Sequence, residues 1–67
     1  MEYQDIIVEN KEQITIITLN RPTSLNALTP LMIRELKTAL KKISTDTSCK
    51  VVIVKGTGRA FSAGVDL

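Results

Sequence analysis

The hexapeptide KVVIVK, Lys50 to Lys55, constrains the fold more than any other stretch of this chain. Its four central residues are all β-branched, which restricts χ1 and suits the pleated surface of a strand. Side chains along a strand alternate between its two faces. A strand that is apolar at every position is therefore apolar on both faces, and both need cover. Any fold for this sequence must place two layers around residues 51–54.

Length limits where those layers can come from. The chain has 67 residues, enough for one small domain spanning 1–67. A chain of this size buries only about 60% of the surface its unfolded form exposes, so marginal stability is expected. Disulfides or metals often supplement such small cores. Here Cys49 is the single cysteine and histidine is absent, so an internal disulfide is impossible and no zinc-type metal site is expected. Cys49 itself reads as an inert small hydrophobe near a strand start.

The remaining segments read as local structure. DIIVE, residues 5–9, fits a short strand, and ENKEQ suits a turn. In QITIITLN, Ile14 and Ile16 fall on one face and Thr15, Ile17 and Leu19 on the other, the pattern of a strand buried on much of both sides. The two strands are expected to pair as an antiparallel hairpin. Asn20-Arg21-Pro22 ends the second one, because proline lacks a donor and biases Arg21 away from helix. TSLNAL is a connection.

Thr29-Pro30 then opens a helix, with threonine as N-cap and proline at the first helical position. Leu28 and Ile33 are placed for a hydrophobic staple. Met32, Leu36, Leu40 and Ile43 make an apolar stripe reaching Ile43 to Thr45. Lys41 and Lys42 lie in the last turns, where the helix dipole favours cations. STDTSC links to the KVVIVK strand. The whole is a ββαβ unit of α/β class. If the last strand runs parallel to an earlier one, its crossover is expected to be right-handed. One helix covers one face of a sheet, so these residues lack a second layer.

Charge and composition exclude several functions. Nine basic and seven acidic residues leave a net charge of +2. The basic residues are scattered, and Tyr3 and Phe61 are the only aromatics, so no nucleic-acid footprint is present. No apolar run approaches the roughly 20 residues of a membrane span. The start, MEYQDIIVEN, is not a signal or transit peptide, and the final VDL is not a peroxisomal SKL signal. A soluble, intracellular protein is expected, cytoplasmic by default.

Side-chain catalysis is poorly supplied. The carboxylates fall in turns, at strand ends or on the outer helix face, without a paired context for acid/base work. Ser62 has no histidine to act as its base. G-T-G at 56–58 lacks the third glycine and the helix of a phosphate-binding fingerprint. Backbone chemistry remains. In S-A-G-V-D, small side chains and a glycine follow the apolar strand, so successive N–H groups can point outward together. Donors arranged in that way can stabilise an oxyanion. Taken alone, the loop also fits an ordinary glycine-containing turn.

NRPTSLNAL, residues 20–28, and GRAFSAGVDL, residues 58–67, occur in one chain with a helix and VVIV between them. This combination resembles the crotonase superfamily, the enoyl-CoA hydratase/isomerase family, over essentially the whole chain. The resemblance implies the N-terminal ββαβ portion of a crotonase-like (ClpP/crotonase spiral) fold. It implies an acyl-CoA substrate, a coenzyme A thioester, with no further cofactor. It also implies a homo-oligomer, a trimer or hexamer, for the full-length form.

Site residues follow from the same resemblance. The backbone N–H of Val65 corresponds to the first of two donors to the thioester oxygen. Ala63, Gly64, Val65, Asp66 and Leu67 run along the acyl-CoA, and the backbone around Ala63 faces the adenine and pantetheine parts. Asp66 orders the loop or caps a following helix. The NRP-to-NAL segment shapes the CoA entrance, with Ser24 and Leu25 against CoA, while Asn26 fixes the turn through side-chain to backbone bonds. The family's chemistry passes through a thioester enolate. Its second oxyanion donor and its proton-transferring acids lie in later segments that this sequence does not contain.

The first expectation is therefore the N-terminal part of a hydratase (lyase) or isomerase-like enzyme of fatty-acid or related acyl-CoA metabolism, inactive as 67 residues alone. The alternative is a short non-enzymatic module that associates with a full-length relative.

Overall fold

The computed structural model describes residues 3–58 and 61–62. Strand β1 spans Ile6–Lys11 and β2 spans Ile14–Leu19; a short 3-10 turn follows at Pro22–Ser24. Helix α1 is Pro30–Ser44 and strand β3 is Val51–Gly56. The ββαβ order is the one expected. β1 pairs antiparallel with β2, from Ile6 opposite Leu19 to Lys11 opposite Ile14. β3 pairs parallel with β2, from Val51 opposite Ile14 to Gly56 opposite Leu19. The sheet order is β1-β2-β3, so β2 is central.

β1 runs two residues further than the sequence pattern suggested. Only Glu12 and Gln13 separate the paired Lys11 and Ile14, and Glu12 takes a φ of 54°. A glutamate in the left-handed region is uncommon, and no Asn-Gly or Asp-Gly signal announces this tight turn.

Register decides which residues reach the helix. Ile6 and Val8 stand opposite Leu19 and Ile17, so all four share a face. Ile6, Ile17, Leu19, Met32 and Ala39 form the buried core, with Tyr3, Val8, Leu28, Leu36 and Ile43 packed against it. β2 is buried at Thr15, Ile17 and Leu19 on the helix side and at Thr18 on the other, where Ile16 is half-buried and Ile14 exposed, so the burial expected on both sides holds fully on one only.

Leu40 departs from the expected stripe: it is 47% exposed, and Ala39 takes the core position. Helix geometry supplies the reason. At 3.6 residues per turn, Ala39 lies about 20° from Met32 around the helix axis, whereas Leu40 lies about 80° away.

The helix begins as its sequence indicates. Thr29 is the N-cap with extended backbone, and its Oγ1 accepts from the Met32 N–H at 3.1 Å. The same hydroxyl donates to Asp5 Oδ2 at 3.1 Å, tying the cap to the strand entrance. One turn on, the Glu35 carboxylate accepts from the backbone N–H groups of Gln4 and Asp5 at 2.7 and 2.8 Å. The helix start thereby fixes the chain that leads into β1. Thr29→Ala is expected to destabilise the fold by about 1 kcal/mol. Thr29→Ser should restore most of that loss in denaturant unfolding, and equal midpoints for parent and alanine variant would reject the capping role.

Cover for β3 is lacking among the described residues. Val51, Val52, Ile53 and Val54 are 38–49% exposed, although they are the most apolar run in the chain. Val52 and Val54 lie on the helix side of the sheet, opposite Thr15 and Ile17. Val51 and Ile53 lie on the other side with Ile7 and Ile14, also exposed. The two-layer requirement read from KVVIVK is unmet by these residues.

Candidate functional site

The segment after β2 is built around two residues. Arg21 and Asn26 close a ring: the Asn26 N–H donates to Arg21 O at 2.8 Å, and the Arg21 N–H donates to Asn26 Oδ1 at 2.7 Å. The Arg21 guanidinium spans the same loop, donating from Nη1 to Ala27 O at 3.0 Å and from Nη2 to Ser24 Oγ at 3.3 Å. Within the ring, Leu25 and Asn26 both have left-handed backbone, φ 51° and 55°. Asparagine tolerates that region, but leucine there is strained by about 1–2 kcal/mol. Local strain of this kind is held only where the surroundings over-determine it, and it clusters at functional sites.

Asn26 also reaches across the fold. It is fully buried, and its Nδ2 donates to Thr57 O at 2.8 Å. Thr57 directly follows β3, and its own N–H donates to Leu19 O at 2.9 Å. The Ser62 hydroxyl donates to the Asn26 backbone carbonyl at 2.9 Å. Gly58 has a φ of +83°, and a Cβ added there would lie 3.3 Å from Pro22 Cβ. The two sequence motifs, NRPTSLNAL and GRAFSAGVDL, thus meet directly. Parallel pairing of β2 and β3 brings this about, because both strands then finish at the same end of the sheet.

Of the site residues read from sequence, Ser24 and Leu25 are half-buried in this loop. Ala63, Gly64, Val65, Asp66 and Leu67 lie outside the described residues. Asn26 fixes its turn as expected. Its bond to Thr57 was not foreseen, nor was the Arg21 brace. The pairing of N-R-P with a later glycine was the available hint, since Pro22 packs on Gly58.

Other candidate features lie away from this junction. A cleft of about 230 Å³ between β1 and α1 is lined by Tyr3, Val8, Asn10, Ala39, Lys42, Ile43 and Asp46, and includes none of the expected site residues. The Asp46 carboxylate is held below its ordinary pKa by the Ser48 hydroxyl and the Ser48 backbone N–H. It orders the α1–β3 turn, at the end of β3 opposite to Thr57. Among the described residues, no group of His, Cys, Asp and Glu is arranged to hold a metal ion, and no helix is long and apolar enough to cross a membrane.

Comparison with known proteins decides the family. The sequence model of the enoyl-CoA hydratase/isomerase family matches residues 14–67. This chain belongs to the enoyl-CoA hydratase/isomerase family. A probable enoyl-CoA hydratase of Rhizobium meliloti (strain 1021) is 40% identical over 67 residues, covering 100% of this chain and 26% of the relative. The 3-hydroxyisobutyryl-CoA hydrolase 1 of Arabidopsis thaliana is 48% identical over 62 residues, covering 92% of this chain and 16% of that protein.

Solved structures agree. The enoyl-CoA hydratase/isomerase of Mycobacterium paratuberculosis superposes with a TM-score of 0.94 at 43% identity, covering 97% of this chain and 26% of that one. The three-stranded sheet and helix are thus the N-terminal part of a crotonase fold. The chain spans about a quarter of the length of these hydratase relatives. Within that fold, the contacts of Gly58 with Pro22 and of Ser62 with Asn26 join the two motif regions of this chain.

Proposed function

We propose that this segment is the acyl-CoA-binding and first oxyanion-forming part of an enoyl-CoA hydratase/isomerase-type enzyme. The observation that carries the reading is the direct link between the two motifs: buried Asn26 holds Thr57 and Ser62 on either side of the turn that leads to Ala63–Leu67. A strained loop at Leu25 and Asn26, braced by Arg21, is the second support.

In this reading the Val65 N–H donates to the thioester oxygen of an acyl-CoA. Ala63, Gly64, Asp66 and Leu67 line the thioester, with Ser24 and Leu25 at the CoA entrance. Hydration adds water across the Cα=Cβ bond of an enoyl thioester. Oxygen bonds to Cβ, the π electrons move toward the thioester to give an enolate, and a proton is then delivered to Cα. The enolate oxygen is where backbone donors are most effective, because charge develops there only as the reaction proceeds. The acid and base for the two proton movements come from outside residues 1–67. The full-length form is a homo-oligomer, a trimer or a hexamer.

The experiment is an assay of the full-length enzyme carrying this segment with a 2-enoyl-CoA. Loss of enoyl-thioester absorbance without release of free CoA is expected. Release of free CoA would instead assign the hydrolase branch, to which the Arabidopsis relative belongs. Failure to bind or turn over any acyl-CoA would overturn the proposal.

A further inference from the structure

The family reading assigns donors and contacts along the thioester but leaves open what holds that loop in place. We propose that Asn26 is a positioning residue that locks the oxyanion loop to the CoA-entrance loop, an inference that rests on the function proposed above. All four of its polar groups are engaged. Its N–H and Oδ1 bond Arg21 O and Arg21 N, within its own loop. Its Nδ2 and carbonyl O bond Thr57 and Ser62, at positions 31 and 36 residues further on. The two side-chain bonds are chemically separable, since Oδ1 serves Arg21 and Nδ2 serves Thr57, while the Ser62 bond is to the backbone carbonyl.

Burial makes the lock stiff. Asn26 is fully buried, and a buried hydrogen bond is not exchanged for one to water at small cost. The Gly58 turn closes the same junction from the other side. It packs on Pro22 and takes a φ of +83°, which few other residues adopt readily. Thr57 is therefore held by the side chain of Asn26 and Ser62 by its backbone carbonyl, so both ends of that stretch are referenced to one residue, and Ser62 directly precedes Ala63. Displacing a reacting group by about 1 Å can cost about 10²-fold in rate, so a lock of this kind acts on catalysis without touching substrate.

Asn26→Asp separates the two functions. The aspartate keeps an oxygen for the Arg21 N–H but cannot donate to Thr57 O, and its charge repels that carbonyl. In the full-length enzyme it is expected to lower kcat by about 10²-fold, with KM for enoyl-CoA within about threefold because the Arg21 ring persists. Ser62→Ala, which removes a single bond, is expected to lower kcat by about fivefold at unchanged KM. Glu35→Ala is the control: it releases Gln4 and Asp5 and lowers Tm, but it does not touch the junction, so kcat should stay within about twofold of the parent.

Loss of kcat in proportion to Tm across all three variants would reduce Asn26 to a fold-stabilising residue and overturn the proposal. Parent-like kcat in both Asn26→Asp and Ser62→Ala would do the same. If Asn26→Asp does not fold, Ser62→Ala alone decides between these results. If the parent neither binds nor turns over acyl-CoA, the functional reading fails separately, and hydrogen exchange at residues 58–66 tests the lock. Faster exchange in Asn26→Asp than in Glu35→Ala then upholds the lock, and equal exchange overturns it.

Discussion

If Val65 supplies the oxyanion donor proposed above, proline at position 65 is expected to lower turnover of the full-length enzyme by about 10²–10³-fold, the loss that follows removal of one such donor. The substitution deletes a single N–H and leaves an apolar side chain of similar size. Ground-state binding should change far less. A neutral thioester carbonyl accepts a weaker hydrogen bond than an enolate oxygen, so the donor contributes mainly as charge develops. Binding of a saturated acyl-CoA, measured by calorimetry, is therefore expected to stay within a few-fold of the parent. Proline also restricts Gly64 to extended backbone, so the comparison needs a second variant. Val65→Ala keeps the N–H and the freedom of Gly64, and it should retain at least about a tenth of the parent kcat. A folded Val65→Pro enzyme with parental turnover would remove Val65 from the oxyanion site.

The elements of this fold were legible because each has a local cause. β-Branched runs marked the strands, and Thr29-Pro30 marked the helix start. The helix end at Ser44 fell within the expected bounds. What local pattern could not show was long-range partnership. Asn26 read correctly as a turn residue, but nothing in NRPTSLNAL states that its amide reaches Thr57, because that contact exists only once β2 and β3 pair in parallel. Leu25 and Glu12 with positive φ are likewise invisible to propensity, which would have offered glycine or asparagine. KVVIVK shows the opposite case. Its demand for two layers was legible, while its exposure in these residues accords with relatives about four times as long.

The candidate site was legible to a different degree. Composition and spacing led no further than a small-residue loop after a strand. Resemblance across two motifs supplied the chemistry, and the family match upholds that resemblance. Under the proposed function, the geometry suggests why two motifs occur rather than one. A backbone donor has no side chain to be positioned by packing, so its aim depends on what holds the loop, and here the NRP segment holds the strand exit through Asn26 and Pro22.

Met32→Ala and Leu40→Ala should differ sharply in cost, although the sequence pattern puts both residues on the apolar stripe of the helix. Met32 is fully buried against Ile6, Ile17 and Leu19. Its truncation removes apolar contact and leaves a cavity that strands on a shared ladder cannot collapse to fill, a loss of about 2–5 kcal/mol. Unfolding of the full-length enzyme carrying this segment, followed by far-UV circular dichroism in denaturant, should accordingly shift to lower denaturant concentration. Leu40 lies on the shoulder of the helix at 47% exposure. Alanine there should change stability by no more than about 0.5 kcal/mol, since it forfeits little burial and is the better helix former. Equal losses at the two positions would mean that α1 is rotated, with Leu40 rather than Ala39 facing the sheet. The rotation would carry Glu35 away from Gln4 and Asp5 as well, so the same pair of variants tests how the helix start is anchored to β1.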